Sequence, residues 1–87
     1  MAMDKQQILD EVVTLVSEQV GVPLVEVTPE VTLKDLDADS LDEVELLMAF
    51  EERWHLDLGD DEEQLSTLSV KGIADLLCKH IEQVPSA

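Results

Sequence analysis

Apolar positions in the first quarter of the chain recur with a helical period. Between Asp4 and Val20, the residues Ile8, Leu9, Val12, Val13, Leu15, Val16 and Val20 fall within an arc of about 160° at ~100° per residue, which predicts an amphipathic helix. Asp4 and Gln7 have the spacing of a capping box at its start, and Gly21 followed by Pro23 supplies a stop. From Val22 to Asp39 the apolar residues Leu24, Val27, Val31, Leu33 and Leu36 are scattered around Pro23 and Pro29 without a sustained period. That segment reads as a long ordered loop, with a short strand at VEVT as an alternative. A second helix is predicted from about Leu41 to Trp54, with Ser40 and Glu43 at capping-box spacing. After the connector HLDLG, the stretch GDDEEQL is suited to a short third helical turn with acids near its start. Ser69 then caps a last helix whose Val70, Ile73, Leu77, Ile81 and Val84 share one face.

The second helix carries two apolar stripes. With Leu41 set at 0°, Leu46, Leu47, Phe50 and Trp54 span roughly 140° to 240°, an ordinary core stripe. Val44, Met48 and Leu41 lie at roughly 300° to 360°, flanked by Glu51, Glu52 and Glu45 at about 280°, 20° and 40°. A strip hemmed by carboxylates cannot share the core face. It should be exposed and await a partner with apolar and basic groups, a role that suits the flexible Met48, unless the Val22–Asp39 loop folds over it.

Charge sharpens this picture. The 87 residues carry 5 bases against 21 acids, a formal net charge of −16. The excess is concentrated: between Asp35 and Glu63, thirteen acids face one base, Arg53. Nucleic-acid recognition starts from Lys and Arg that neutralise phosphates, so a nucleic-acid partner is not expected and basic partners are. The length suits one domain over 1–87, with about 4–83 as its ordered core. No apolar run reaches the length of a bilayer span, and MAMDKQQ lacks the character of a signal peptide, so the chain reads as a soluble intracellular protein. The single cysteine, Cys78, cannot form an intramolecular disulfide and reads as a structural thiol. His55 and His80 have no ligand-spaced companions, so no zinc site is expected.

The ladder Asp35, Asp37, Asp39 before Ser40 admits three readings. A calcium-binding loop would use the three acids at positions 1, 3 and 5, but Ser40 stands where glycine belongs and Leu46 where a glutamate must close the site. Alternatively, Ser40 is simply the N-cap of the second helix, with Asp42 and Glu43 near the positive helix end. The third reading is a serine to which something is attached. Asp39-Ser40-Leu41, opening an acidic amphipathic helix after a long loop, resembles the attachment motif of the acyl carrier proteins. The stretch VTPEVTLKDLDADSLDEVELLMAFEE resembles the bacterial and organellar fatty-acid type, and the likeness runs from the Asp4 helix to Ile81.

The resemblance implies an all-α fold, a small four-helix bundle with a long first loop and a short third helix. It implies that Ser40 carries 4′-phosphopantetheine, with Asp39 and Leu41 completing the motif, and that a holo-carrier synthase or other phosphopantetheinyl transferase attaches the group from coenzyme A using magnesium. Leu41, Asp42, Val44, Glu45, Met48, Glu51 and Glu52 match positions that face basic-surfaced enzymes of fatty-acid synthesis: ketosynthases, reductases, dehydratases and acyltransferases. Leu47, Phe50, Leu58, Leu68, Ile73 and Leu76 are candidates to line the space between helices into which an acyl chain withdraws, with ordinary core packing as the alternative. A cytoplasmic monomer is implied, or a stromal or matrix protein if the chain is a processed form. No catalytic residue is expected, because a thioester brings its own reactivity and no nucleophile–base pair can be assembled from the sequence; no specific metal site is expected either, only loose divalent binding to the acidic stretch.

The chain departs from the family pattern at Asp37, where glycine is usual, and at Arg53, Trp54 and His55, where acids around a phenylalanine are usual; EEQLSTLSV matches only with a gap. An altered turn before Ser40, a Trp54 that fills the core and a locally weakened negative field at Arg53 and His55 are the expectations. The remaining functional alternatives are a carrier for a specialised polyketide or lipid pathway, an acidic helical calcium-binding protein, and an acidic interaction module with no modification.

Overall fold

The computed structural model describes residues 5–58, 65 and 67–83. Three α-helices are formed there: α1 (Lys5–Val20), α2 (Ser40–Trp54) and α3 (Val70–Gln83), with a short 3-10 turn at Leu24–Glu26. No strand is formed among the described residues. The described fold is thus all-α, as the resemblance implies. The VEVT alternative is corrected: its first two residues lie in the 3-10 turn, and among the described residues the loop makes a ladder-like contact only as an isolated bridge between Thr32 and Ser69. The Asp4–Gln7 cap, most of the GDDEEQL turn, Val84 and the chain ends lie outside the described residues.

Each helix supplies one stripe to a common core. α1 gives Ile8, Val12 and Val16; α2 gives Leu46, Leu47 and Phe50; α3 gives Val70, Ile73, Ala74 and Leu77. These are i, i+3 and i+4 steps, so each helix turns a single face inward. Val27 and Leu33 from the long loop, with Leu58 and Leu65 from beyond α2, close the core. Trp54 fills it only in part: half-buried at the margin, it sets its ring 6.1 Å from that of Phe50, tilted by 42°. Cys78 is half-buried on α3.

Polar contacts fix the directions of the helices. Gln19, near the end of α1, meets Asp42 and Glu45 near the start of α2, while Glu11 pairs with Arg53 near the end of α2. α1 and α2 therefore run antiparallel. Lys5 of α1 meets Asp75 of α3 at 2.8 Å, which brings the early turns of those two helices together.

Hydrogen bonds tie the long loop to α1 at its entry and to α3 at its middle. At its entry, Gly21 adopts φ +79° and its amide bonds the Ser17 carbonyl at 2.9 Å, while Ser17 Oγ donates to the Val22 carbonyl at 2.6 Å. At its middle it serves α3: the amides of Val70 and Lys71 donate to the carbonyls of Val31 (2.8 Å) and Pro29 (2.9 Å). Those donors have no partner inside their own helix, so loop and helix satisfy one another.

Candidate functional site

The three acids of the ladder hold three different positions in the backbone. Thr32 N donates to Asp35 Oδ2 (3.0 Å) and Asp35 N to Thr32 Oγ1 (3.1 Å), a reciprocal box that opens one tight turn. Asp37 ends that turn in the left-handed region at φ 60°, and the next amide, Ala38 N, reaches back to the Leu33 carbonyl at 3.0 Å. Leu33 is fully buried and pins the turn to the core. Asp37 thus takes up the conformation that glycine favours, at the cost of placing a Cβ against the following carbonyl.

Asp39 does what the sequence assigned to Ser40. It is the N-cap of α2, extended at φ −91°, ψ 180°; its Oδ1 accepts the Asp42 amide at 2.9 Å, and Asp42 Oδ2 accepts the Asp39 amide at 3.3 Å. The capping box is therefore Asp39 with Asp42, one residue earlier than Ser40 with Glu43, and α2 begins at Ser40 rather than Leu41. The physical reason is that a carboxylate is a stronger acceptor than a hydroxyl, and the two overlapping frames DSLD and SLDE compete for the same helix end. Ser40 is left exposed in the first turn, and its hydroxyl makes no hydrogen bond among the described residues. Beside it stand the unpaired first amides of α2, with the positive end of the helix dipole.

The second stripe of α2 lies open. Leu41 is 64%, Met48 56% and Val44 38% exposed, so the loop does not fold over them. Glu45 and Glu52 are exposed beside them, whereas Asp42 and Glu51 are half-buried. Both of these have structural partners. Asp42 Oδ1 accepts from Gln19 Nε2 at 3.2 Å, and Glu51 Oε2 accepts the backbone amide of Leu58 at 2.8 Å. Gln19, which sequence reasoning missed, also donates to Glu45 and so bridges two acids of the strip from another helix. A contact between residues so far apart in sequence leaves no local pattern to read. Arg53 spends its charge on Glu11 of α1, and His55 closes α2 in the left-handed region at φ 56°.

The six candidate chain-lining residues divide. Leu47, Phe50, Leu58 and Ile73 are brought together in the core, while half-buried Leu68 and Leu76 line a surface hollow of about 260 Å³ with Gly72, Asp75 and Lys79.

The described helices thus pack around one core, with an exposed serine heading an acidic helix outside it. The sequence profile of the family described as "Phosphopantetheine attachment site" matches residues 10–77. An acyl carrier protein of Cyanidioschyzon merolae is 44% identical over 80 residues, covering 90% of this chain and 86% of its own. Those of Guillardia theta and Rubrobacter xylanophilus are 47% identical over 68 residues and 38% over 79, covering 76% and 90% of this chain and 84% and 96% of theirs. The chain belongs to the phosphopantetheine attachment family, among the acyl carrier proteins. Membership makes it a carrier, not an enzyme, with phosphopantetheine as its prosthetic group. It also implies contacts with a phosphopantetheinyl transferase and with biosynthetic enzymes. No described helix is long and apolar enough to cross a membrane.

Proposed function

We propose that Ser40 is the attachment point of 4′-phosphopantetheine and that the chain, as one acyl-carrier domain, delivers acyl groups to enzymes of fatty-acid synthesis. The observation that carries this reading is the displaced cap: because Asp39 closes the helix end, the Ser40 hydroxyl stays exposed and unspent. Ser40 Oγ would form a new bond to the phosphorus next to the pantetheine arm, losing its proton as the pyrophosphate of coenzyme A is cleaved and adenosine bisphosphate leaves. When bound, the group supplies a terminal thiol that holds an acyl chain as a thioester. Asp39 and Asp42 are tied to backbone amides, so the acids nearest the incoming phosphate are held in place, and the exposed amides at the start of α2 favour an anion there.

Leu41, Val44 and Met48, rimmed by Glu45 and Glu52, form a surface suited to a basic partner with apolar anchors, with Asp42 and Glu51 shared between this rim and the fold. The similarity to relatives named acyl carrier proteins supports the carrier role; the choice of the fatty-acid pathway over a specialised one rests on the resemblance of the stretch Val27–Glu52. The test is incubation with coenzyme A and a promiscuous phosphopantetheinyl transferase, read by whole-protein mass spectrometry. The parent should gain one phosphopantetheinyl group and Ser40→Ala none; equal gain in both would refute the assignment.

A further inference from the structure

Bases are scarce in this chain and unevenly placed. The sequence holds 5 against 21 acids, yet Lys5, Lys71 and Lys79 gather on the α1–α3 side of the bundle. Helical period puts them there. Lys71, Asp75 and Lys79 are spaced by four along α3, so they form one outward row, turned away from the buried Val70, Ile73 and Leu77. Lys5 reaches Asp75 from α1 at 2.8 Å. Two hollows meet at that carboxylate. One, of about 440 Å³, is lined by Lys5 and Lys71 with Leu9 and Ala74; the other, of about 260 Å³, by Lys79 with Leu68 and Leu76.

Two of these three cations are uncommitted. Arg53 is spent on Glu11 and Lys5 on Asp75, but Lys71 and Lys79 are exposed and make no ion pair among the described residues, although acid is in large excess. The patch is also set apart from the acidic strip. Around α1, Leu9 and Gln6 lie to one side of the core positions Ile8, Val12 and Val16, toward α3, whereas Glu11, which meets Arg53 of α2, lies to the other.

We propose that the α1–α3 face is a second docking surface, one that takes an acidic polypeptide segment bearing aliphatic side chains. Its carboxylates pair with Lys71 and Lys79, and its aliphatic side chains enter the two hollows. The match is by sign and by shape. An anionic membrane offers the same sign, but it presents a broad sheet of charge to a chain of net charge −16, whereas the lysines are confined to one helix seam. At physiological salt the screening length is about 8 Å, so acids beyond that range weigh less on a bound segment than the lysines it touches. Because this surface has the opposite sign to the strip on α2, the two select different partners and can be occupied together. That last consequence rests on the carrier reading given above; binding at the lysines does not.

The surface is tested by NMR titration of the unmodified chain with a short acetylated peptide of alternating glutamate and leucine at about 0.15 M salt. Saturable shifts are expected at the amides of Lys71, Asp75, Leu76 and Lys79, and none at Leu41, Val44 and Met48. Lys71→Glu combined with Lys79→Glu should weaken binding about tenfold or more, and Lys71→Gln combined with Lys79→Gln by less. A peptide with serine in place of glutamate should leave the spectrum unchanged. The absence of a saturable response on α3, equal affinity in the parent and the doubly charge-reversed variant, or an equal response to the serine peptide overturns the proposal. So does sedimentation with phosphatidylglycerol vesicles when the acidic peptide has no effect, which would assign the lysines to a lipid surface. Loading at Ser40 is read separately by mass, so the docking surface and the carrier reading fail independently.

Discussion

Two serines stand at the heads of helices in this molecule, and they are used in opposite ways. Ser69 caps α3: its Oγ accepts the Gly72 amide at 3.1 Å and its carbonyl the Ile73 amide at 2.8 Å, while the long loop takes the two amides between. Every early donor of α3 has a partner, and the hydroxyl is consumed. Ser40 heads α2 one position inside the cap, because Asp39 precedes it and Asp42 completes the box. The hydroxyl there is surplus to the helix. What separates the serine that caps its helix from the serine left free is thus the residue before it: Leu68 offers Ser69 no competitor, whereas Asp39 outcompetes Ser40 for the same amides.

This contrast can be broken by mutation, and the largest effect is on modification. Ser40→Ala should abolish labelling from coenzyme A while changing stability by no more than about 0.5 kcal/mol in urea unfolding, since no hydrogen bond is lost. Asp39→Ala removes the cap that keeps Ser40 free. It should cost about 1–2 kcal/mol, and it should slow labelling as Ser40 slips into the capping role; unchanged labelling kinetics would show that the hydroxyl is not drawn inward. Ser69→Ala should cost about 1 kcal/mol and leave labelling intact, the mirror image of Ser40→Ala. Asp37→Gly should raise stability by about 0.5–1 kcal/mol by relieving the left-handed aspartate, measured as a shift in the urea midpoint. The smallest expected change is that of Met48→Glu, within about 0.5 kcal/mol because the side chain is more than half exposed; a large fall in Tm would place Met48 in the core instead.

The strip on α2 shows a related division of labour. Glu52 and Glu45 are exposed, Glu45 with a side-chain bond from Gln19, whereas Asp42 and Glu51 are half-buried and bonded to backbone amides. Charge reversal at Glu45 should therefore slow association with a basic partner at low salt while helix content stays unchanged by circular dichroism. Reversal at Glu51 should in addition disturb segment 55–58.

The amphipathic periods of α1 and α3, the Gly21 stop, the Ser69 cap and the second stripe of α2 were legible in the sequence, because each depends on residues within one or two turns of one another. The acid ladder was legible only as a set of alternatives. Asp35, Asp37 and Asp39 share a spacing of two, yet one closes a box with Thr32, one ends a turn and one caps a helix. No periodic rule covers three separate backbone functions.

By itself, the sequence determined which faces of the helices are apolar, where acid is concentrated and that a serine opens the second helix, since these are properties of order along the chain. Only the tertiary structure decided which residue wins the helix end, that Gln19 bridges Asp42 and Glu45, that Arg53 is spent on Glu11, and that Glu51 holds Leu58. Each of these depends on competition for a hydrogen bond or on groups distant in sequence, and such contests are settled by distance and geometry rather than by composition.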